Sequence, residues 1–90
     1  MVFDWDPDKA EANLVKHGVA FEAIEGFDFD TAADTPDDRL AYGEERRRAV
    51  GFIGDRLHAL IYTWREGRIR VISLRRANAR ERTAYAQAKA

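Results

Sequence analysis

Between Arg46 and Leu74 the chain reads as three strand-length runs parted by two turn-forming tripeptides, Gly54-Asp55-Arg56 and Arg65-Glu66-Gly67. The runs are Arg46 to Ile53, Leu57 to Trp64 and Arg68 to Leu74. Connections this short join antiparallel neighbours, because a parallel pair needs a crossover of roughly a dozen residues or more. An antiparallel β-meander therefore sits at the centre of the expected fold. Ahead of it, Val2 to Trp5 alternates like a short strand, and Asp6-Pro7 supplies a cap and a first helical residue. That helix is predicted to run to Lys16 or His17 and stop at Gly18, with Ala10, Asn13, Leu14 and His17 on one face. Val19 to Phe27 predicts a second, shorter helix burying Phe21, Ile24 and Phe27, and a weak strand follows Phe29. After the meander, Asn78 with Glu81 three residues on forms a capping-box variant that opens a terminal helix. The expected class is α+β: N-terminal helices, a meander and a C-terminal helix in one domain spanning residues 1–90.

Composition narrows the chemistry. The chain has no cysteine, which removes disulfides and thiolate metal sites. Only His17 and His58 are available as imidazole ligands, so a zinc site would need carboxylates to complete it, and no metal or other cofactor is expected. The N-terminus has neither a basic start nor an apolar run, and no segment approaches the ~18 apolar residues that span a bilayer. The default expectation is a cytoplasmic protein without membrane association.

The formal net charge is −1, yet the charges are segregated. Residues 65–82 hold Arg65, Arg68, Arg70, Arg75, Arg76, Arg80 and Arg82 against Glu66 and Glu81, whereas residues 22–45 hold nine Asp or Glu against Arg39. Alternation puts Arg68 and Arg70 on one strand face, about 7 Å apart. Arg75 and Arg76 lie at the strand exit and Arg80 lies one helical turn beyond. Clustered guanidinium groups suit phosphate, which they grip through paired, charge-assisted hydrogen bonds. The competing reading is a solvated surface paired with the acidic segment. Arg46-Arg47-Arg48 opens the first meander strand and either extends the basic face or protects a sheet edge. Tyr62, Trp64 and Tyr85 interleave with the arginines; unpaired bases stack on such rings, but Trp64 reads as core. His17 has the pKa range of a general base, although a helix end explains it equally well. His58 reads as exposed. Glu44 and Glu45 adjoin Arg46. No phosphate loop, nucleophile elbow or metal-binding helix motif occurs.

These residues resemble a known family. Phe3-Asp4-Trp5-Asp6-Pro7-Asp8-Lys9-Ala10, then Asn13-Leu14-Val15-Lys16-His17-Gly18-Val19 with Phe21-Glu22-Ala23, are similar to the opening of the BrnT toxins. Glu44-Glu45-Arg46 with Gly51, Tyr62-Thr63, Arg68 to Ser73, Arg75-Arg76-Ala77, Arg80-Glu81 and Tyr85 continue the pattern. The chain departs from it at Asp28-Phe29-Asp30-Thr31, where an Asp-Pro turn is usual, and at Arg47, where an aromatic residue is common. The resemblance implies a RelE-like fold and a type II toxin–antitoxin ribonuclease that inhibits translation and growth. It implies a BrnA-type antitoxin as partner, RNA as substrate, and operator DNA reached only through the antitoxin complex. RNA cleavage without metal uses the substrate's own 2′-hydroxyl, so the protein must orient the attack, stabilise charge and move protons. On that basis Arg68, Arg70, Arg75 and Arg80 are expected to hold the phosphate, and Glu45, His17 or Tyr85 to act as base or acid. Arg46, Arg48, Tyr62 and Arg76 are expected to contact RNA. The alternative is a non-catalytic module that binds nucleic acid or protein through the same arginines.

Overall fold

The computed structural model describes residues 1–38 and 43–90; residues 39–42 of the acidic segment lie outside the described residues. Its elements are β1 (Phe3–Asp4), α1 (Pro7–His17), a 3₁₀ helix (Phe21–Gly26), β2 (Ala33–Pro36), β3 (Arg47–Ile53), β4 (Arg56–Arg65), β5 (Arg68–Arg76) and α2 (Ala79–Lys89). The five strands form one sheet in the order β1-β5-β4-β3-β2. The meander β3-β4-β5 is antiparallel, as the short turns require. Gly54 takes a positive φ in the first turn, and both Glu66 and Gly67 do so in the second, the geometry that matches the twist of the strands.

Two features refine the sequence reading. β1 pairs parallel to β5, so the sheet is mixed rather than purely a meander. The second helix, of a kind the sequence leaves open, is 3₁₀. Phe21, Ile24 and Phe27 recur every third residue, which is the period of a 3₁₀ turn, and all three are buried. They cover one sheet face together with Ala49, Leu60, Tyr62, Ile69, Val71 and Leu74. Phe29 joins them edge-on to Phe27 and Tyr62.

α1 begins as predicted: Asp6 accepts from the Asp8 N–H at 2.9 Å, Pro7 fills the first turn, and Gly18 ends the helix at φ 71°. Its sheet-facing stripe is narrower than the spacing suggested, because Leu14 is 49% exposed. The inward residue is Asn13. Its Nδ2 donates to the Leu74 carbonyl at 2.7 Å and its Oδ1 accepts from the Leu74 N–H at 3.2 Å. The carboxamide thus stands in for a neighbouring strand where β1 has ended. α2 opens with the predicted capping box between Asn78 and Glu81. It lies over the opposite sheet face, where Val50, Ala59 and Ala77 pack with Leu57 and Tyr85. Among the described residues no helix is long and apolar enough to cross a membrane.

Candidate active site

Simple alternation along β5 puts Arg68 and Arg70 on one sheet face and Arg75 on the other. The pairing with β4 breaks that count. Ile61 lies opposite Ser73 and Tyr62 opposite Val71, so Ile72 is an extra residue, a β-bulge. Beyond it the parity reverses. Leu74 joins Ile69 and Val71 in the core, and Arg75 joins Arg68 and Arg70 on the face that α2 partly covers. Neighbouring strands extend this face: Arg48 stands beside Ile61 and Ser73, and Thr63 beside Arg70. Arg46, Arg65 and Arg70 line one cleft over Thr63.

Carboxylates hold five of these guanidinium groups, all but Arg68, in place. Glu44 binds Arg46 at 3.3 Å and Arg65 at 3.0 Å. Asp4 lies 3.6 Å from Arg70 Nη1. Glu81, only 8% exposed, takes Arg75 end-on with both oxygens, at 2.8 and 2.9 Å, and has Arg48 at 3.9 Å. Burial pushes the Glu81 carboxyl up, but hydrogen bonds from Arg75 and the Asn78 N–H, with the charges of Arg75 and Arg48, outweigh it and hold the carboxyl below its ordinary value. Arg75 Nη1 also donates to the Arg76 carbonyl at 3.2 Å. Its Nε–H and second Nη2–H stay available to a ligand. Six arginines (Arg46, Arg48, Arg65, Arg68, Arg70, Arg75) thus share this face with four carboxylates (Asp4, Asp6, Glu44, Glu81), so the face keeps a positive surplus.

His17 ends α1 at the rim of this face. A cleft of about 230 Å³ places it with Lys9, Asn13, Lys16, Ile72 and Ser73. Burial lowers the His17 pKa from its ordinary value, and the positive charges of Lys16 and Arg75 lower it further. Its imidazole is accordingly neutral at neutral pH and able to accept a proton.

The other sequence candidates fall elsewhere. Tyr62 is buried, and its hydroxyl donates to Asp34 at 2.5 Å, so it offers no face for stacking. Burial and the Asp34 carboxylate push its phenol up to about 12. Trp64, read from sequence as core, is 55% exposed and stands edge-on to Tyr62. His58, read as exposed, is buried, with Nδ1 2.9 Å from the Arg56 carbonyl. Glu45 lies with Arg47 and Trp64 in an adjoining cleft, which shares Glu44 and Thr63 with the cleft of Arg46, Arg65 and Arg70. Tyr85 packs edge-on to Phe52, and its hydroxyl donates to the Thr31 carbonyl at 3.0 Å. Arg76 sits at the far end of β5 opposite His58, and Arg80 is exposed on α2.

Sequence reasoning missed Lys9, Lys16, Arg65 and the anchoring roles of Glu44 and Glu81. The spacing of Lys9, Asn13 and Lys16, at i, i+4 and i+7 on one helix stripe, was the available signal for the lysines. Among the described residues no three His, Asp or Glu side chains gather to hold a metal ion.

The chain matches the family model described as the ribonuclease toxin BrnT of a type II toxin–antitoxin system over residues 5–81, a span that holds every residue of the site above except Asp4 and Tyr85. A search of curated proteins finds no match.

Proposed function

The chain belongs to the BrnT family of type II toxin–antitoxin ribonuclease toxins, and from that premise we propose that it cleaves RNA internally without a metal ion. The substrate's 2′-hydroxyl attacks the adjacent phosphate, leaving a 2′,3′-cyclic phosphate and a free 5′-hydroxyl on the departing strand. The observation that carries this reading is the bulge at Ile72, which turns Arg75 onto the face of Arg70, where its charge also acts on His17. Arg70 and Arg46 grip the non-bridging oxygens, with Arg48 and Arg68 widening the field around them. Arg75 contributes its free N–H groups to the charge that builds at phosphorus. Neutral His17 takes the proton from the 2′-hydroxyl. Lys16, beside it, is suited to protonate the leaving 5′-oxygen. Because Arg46, Arg48, Arg70 and Arg75 are each already paired with a carboxylate, little reorganisation is needed when the transition state forms.

An antitoxin, of the BrnA type by this reading, covers the arginine face and silences it, and the loss of translatable RNA arrests translation and growth. Operator DNA is bound by the complex through the antitoxin. The RelE-like classification of the fold belongs to the same proposal. The test is incubation of the antitoxin-free chain with end-labelled RNA in EDTA, followed by analysis of the new termini. Cyclic phosphate ends are expected, with at least a hundredfold loss in Arg70→Ala and in His17→Asn variants whose melting is normal. Cleavage that requires added magnesium, or that survives both substitutions, sinks the mechanism.

A further inference from the structure

Three arginines gather at the end of the sheet, apart from the face described above. The β3–β4 turn, the exit of β5 and the first turn of α2 enclose a cleft of about 360 Å³ lined by Asp55, Arg56, Leu57, Arg76, Ala77 and Arg82. The backbone around it is tied down. The Ala77 N–H donates to the Leu57 carbonyl at 2.9 Å, and Arg82 Nη1 donates to the Ala77 carbonyl at 2.8 Å. The Arg56 carbonyl is held by His58. Arg82 is therefore positioned by a neutral acceptor, which fixes the guanidinium without cancelling its charge.

This arrangement differs from the arginine face in one respect. There, Arg46, Arg48, Arg65, Arg70 and Arg75 each lie within 4.0 Å of a carboxylate. Here, none of Arg56, Arg76 and Arg82 forms an ion pair with a described residue, although Asp55 lines the same cleft. Three cations facing one concavity repel one another, and an anion bound among them relieves that repulsion. The cleft floor is Leu57 and Ala77, with no aromatic ring, so it has nothing on which a base would stack. What fits is a phosphodiester held by forked N–H donors and read without regard to sequence.

We propose that Arg56, Arg76 and Arg82 form a second phosphate subsite, which takes the backbone of the RNA strand on one side of the cleaved bond. Arg76 directly follows Arg75 in β5, and by strand rise it lies roughly 20 Å from Arg70. A single strand gripped at both places is held in line across the arginine face. The identity of the anion rests on the ribonuclease reading, whereas the subsite itself does not depend on catalysis.

The probe is a labelled, fully 2′-O-methylated RNA strand, which lacks the attacking hydroxyl, followed by fluorescence anisotropy across a salt series. An Arg56→Gln, Arg76→Gln double variant is expected to bind about tenfold more weakly and to lose about 1.4 from the slope of log affinity on log salt, the share of two single-strand phosphate contacts. Asp55→Asn, which removes the opposing carboxylate, is expected to tighten binding at low salt. Circular dichroism melts keep the comparison to folded protein. Unchanged affinity and slope in the double variant, or failure of Asp55→Asn to tighten binding, overturn the subsite. Duplex DNA bound more tightly than RNA through the same two arginines overturns its assignment to RNA. A chain that binds through Arg56 and Arg76 but cleaves nothing retains the subsite and loses the catalytic reading, and cleavage with unchanged binding does the reverse.

Discussion

Glu81 carries more of the candidate site than its single charge suggests. It caps α2 through the Asn78 N–H, takes both Nη atoms of Arg75 and draws in Arg48. Replacing it by Gln leaves two cations without their shared counter-charge, and the loss is expected to reach about 3 kcal/mol, as for other buried pairs stripped of one member. Urea denaturation measures it, and an Arg75→Gln change on top should recover part of the loss; unaltered stability in Glu81→Gln would remove Glu81 as the anchor. At this scale the sequence was legible where chemistry is local. Asn78 and Glu81 disclosed their capping box through spacing alone. Tyr62 and Trp64 did not disclose their surroundings, because alternation places both on one face and says nothing of what covers it. The 3₁₀ helix and Phe29 cover Tyr62 and leave Trp64 in solvent. That difference depends on residues more than thirty positions away.

Asn13 shows how one side chain can complete an element. β1 pairs with β5 only at Ile69 and Arg70, so the rest of that edge would present bare N–H and C=O groups to solvent or to another sheet. Asn13 satisfies both backbone groups of Leu74 and fastens α1 beside the strand. Asn13→Ala is expected to destabilise the fold by about 2 kcal/mol, the consequence of leaving buried groups unpaired. Amide exchange at Leu74 should accelerate accordingly, and an unaltered exchange rate at that amide would show that the edge does not need the carboxamide. Elements with strong terminal signals were readable in the sequence: Asp6-Pro7 and Gly18 bound α1, and glycine turns bound the meander strands. The parallel partner of β1 was not, since two residues carry no period. Nor was the bulge at Ile72, which exists only as a mismatch between two strands.

Across the whole molecule, charge segregation was visible from composition, and the structure shows both of its readings at work. Part of the acidic segment does pair with arginines: Asp34 with Arg47, and Glu44 with Arg46 and Arg65. The remainder of the basic surface is left in surplus. This layout sets the pH response. His17 and Glu81 both have folded pKa values below their ordinary 6.5 and 4.5, so the unfolded chain binds more protons as pH falls. Stability is therefore expected to decline in two stages on acidification, first below 6.5 and then below 4.5. Tyr62, raised to about 12, has the opposite sign and withdraws its contribution only as pH climbs from 10 through that value. A melting-temperature series should show a plateau between these limits, and a maximum at acid pH would contradict it. Cleavage should share the first acid limb and lose it in His17→Asn. The bulge has a consequence for how such a toxin can be disarmed. Loss of the Ile72 codon would remove the bulge yet leave Arg75 opposite Ala59 on the face of Arg70, because Val71 and Ser73 would then follow plain alternation. Selection for surviving cells is therefore expected to pass over in-frame loss of that codon and to return changes at Arg70 and Arg75 themselves.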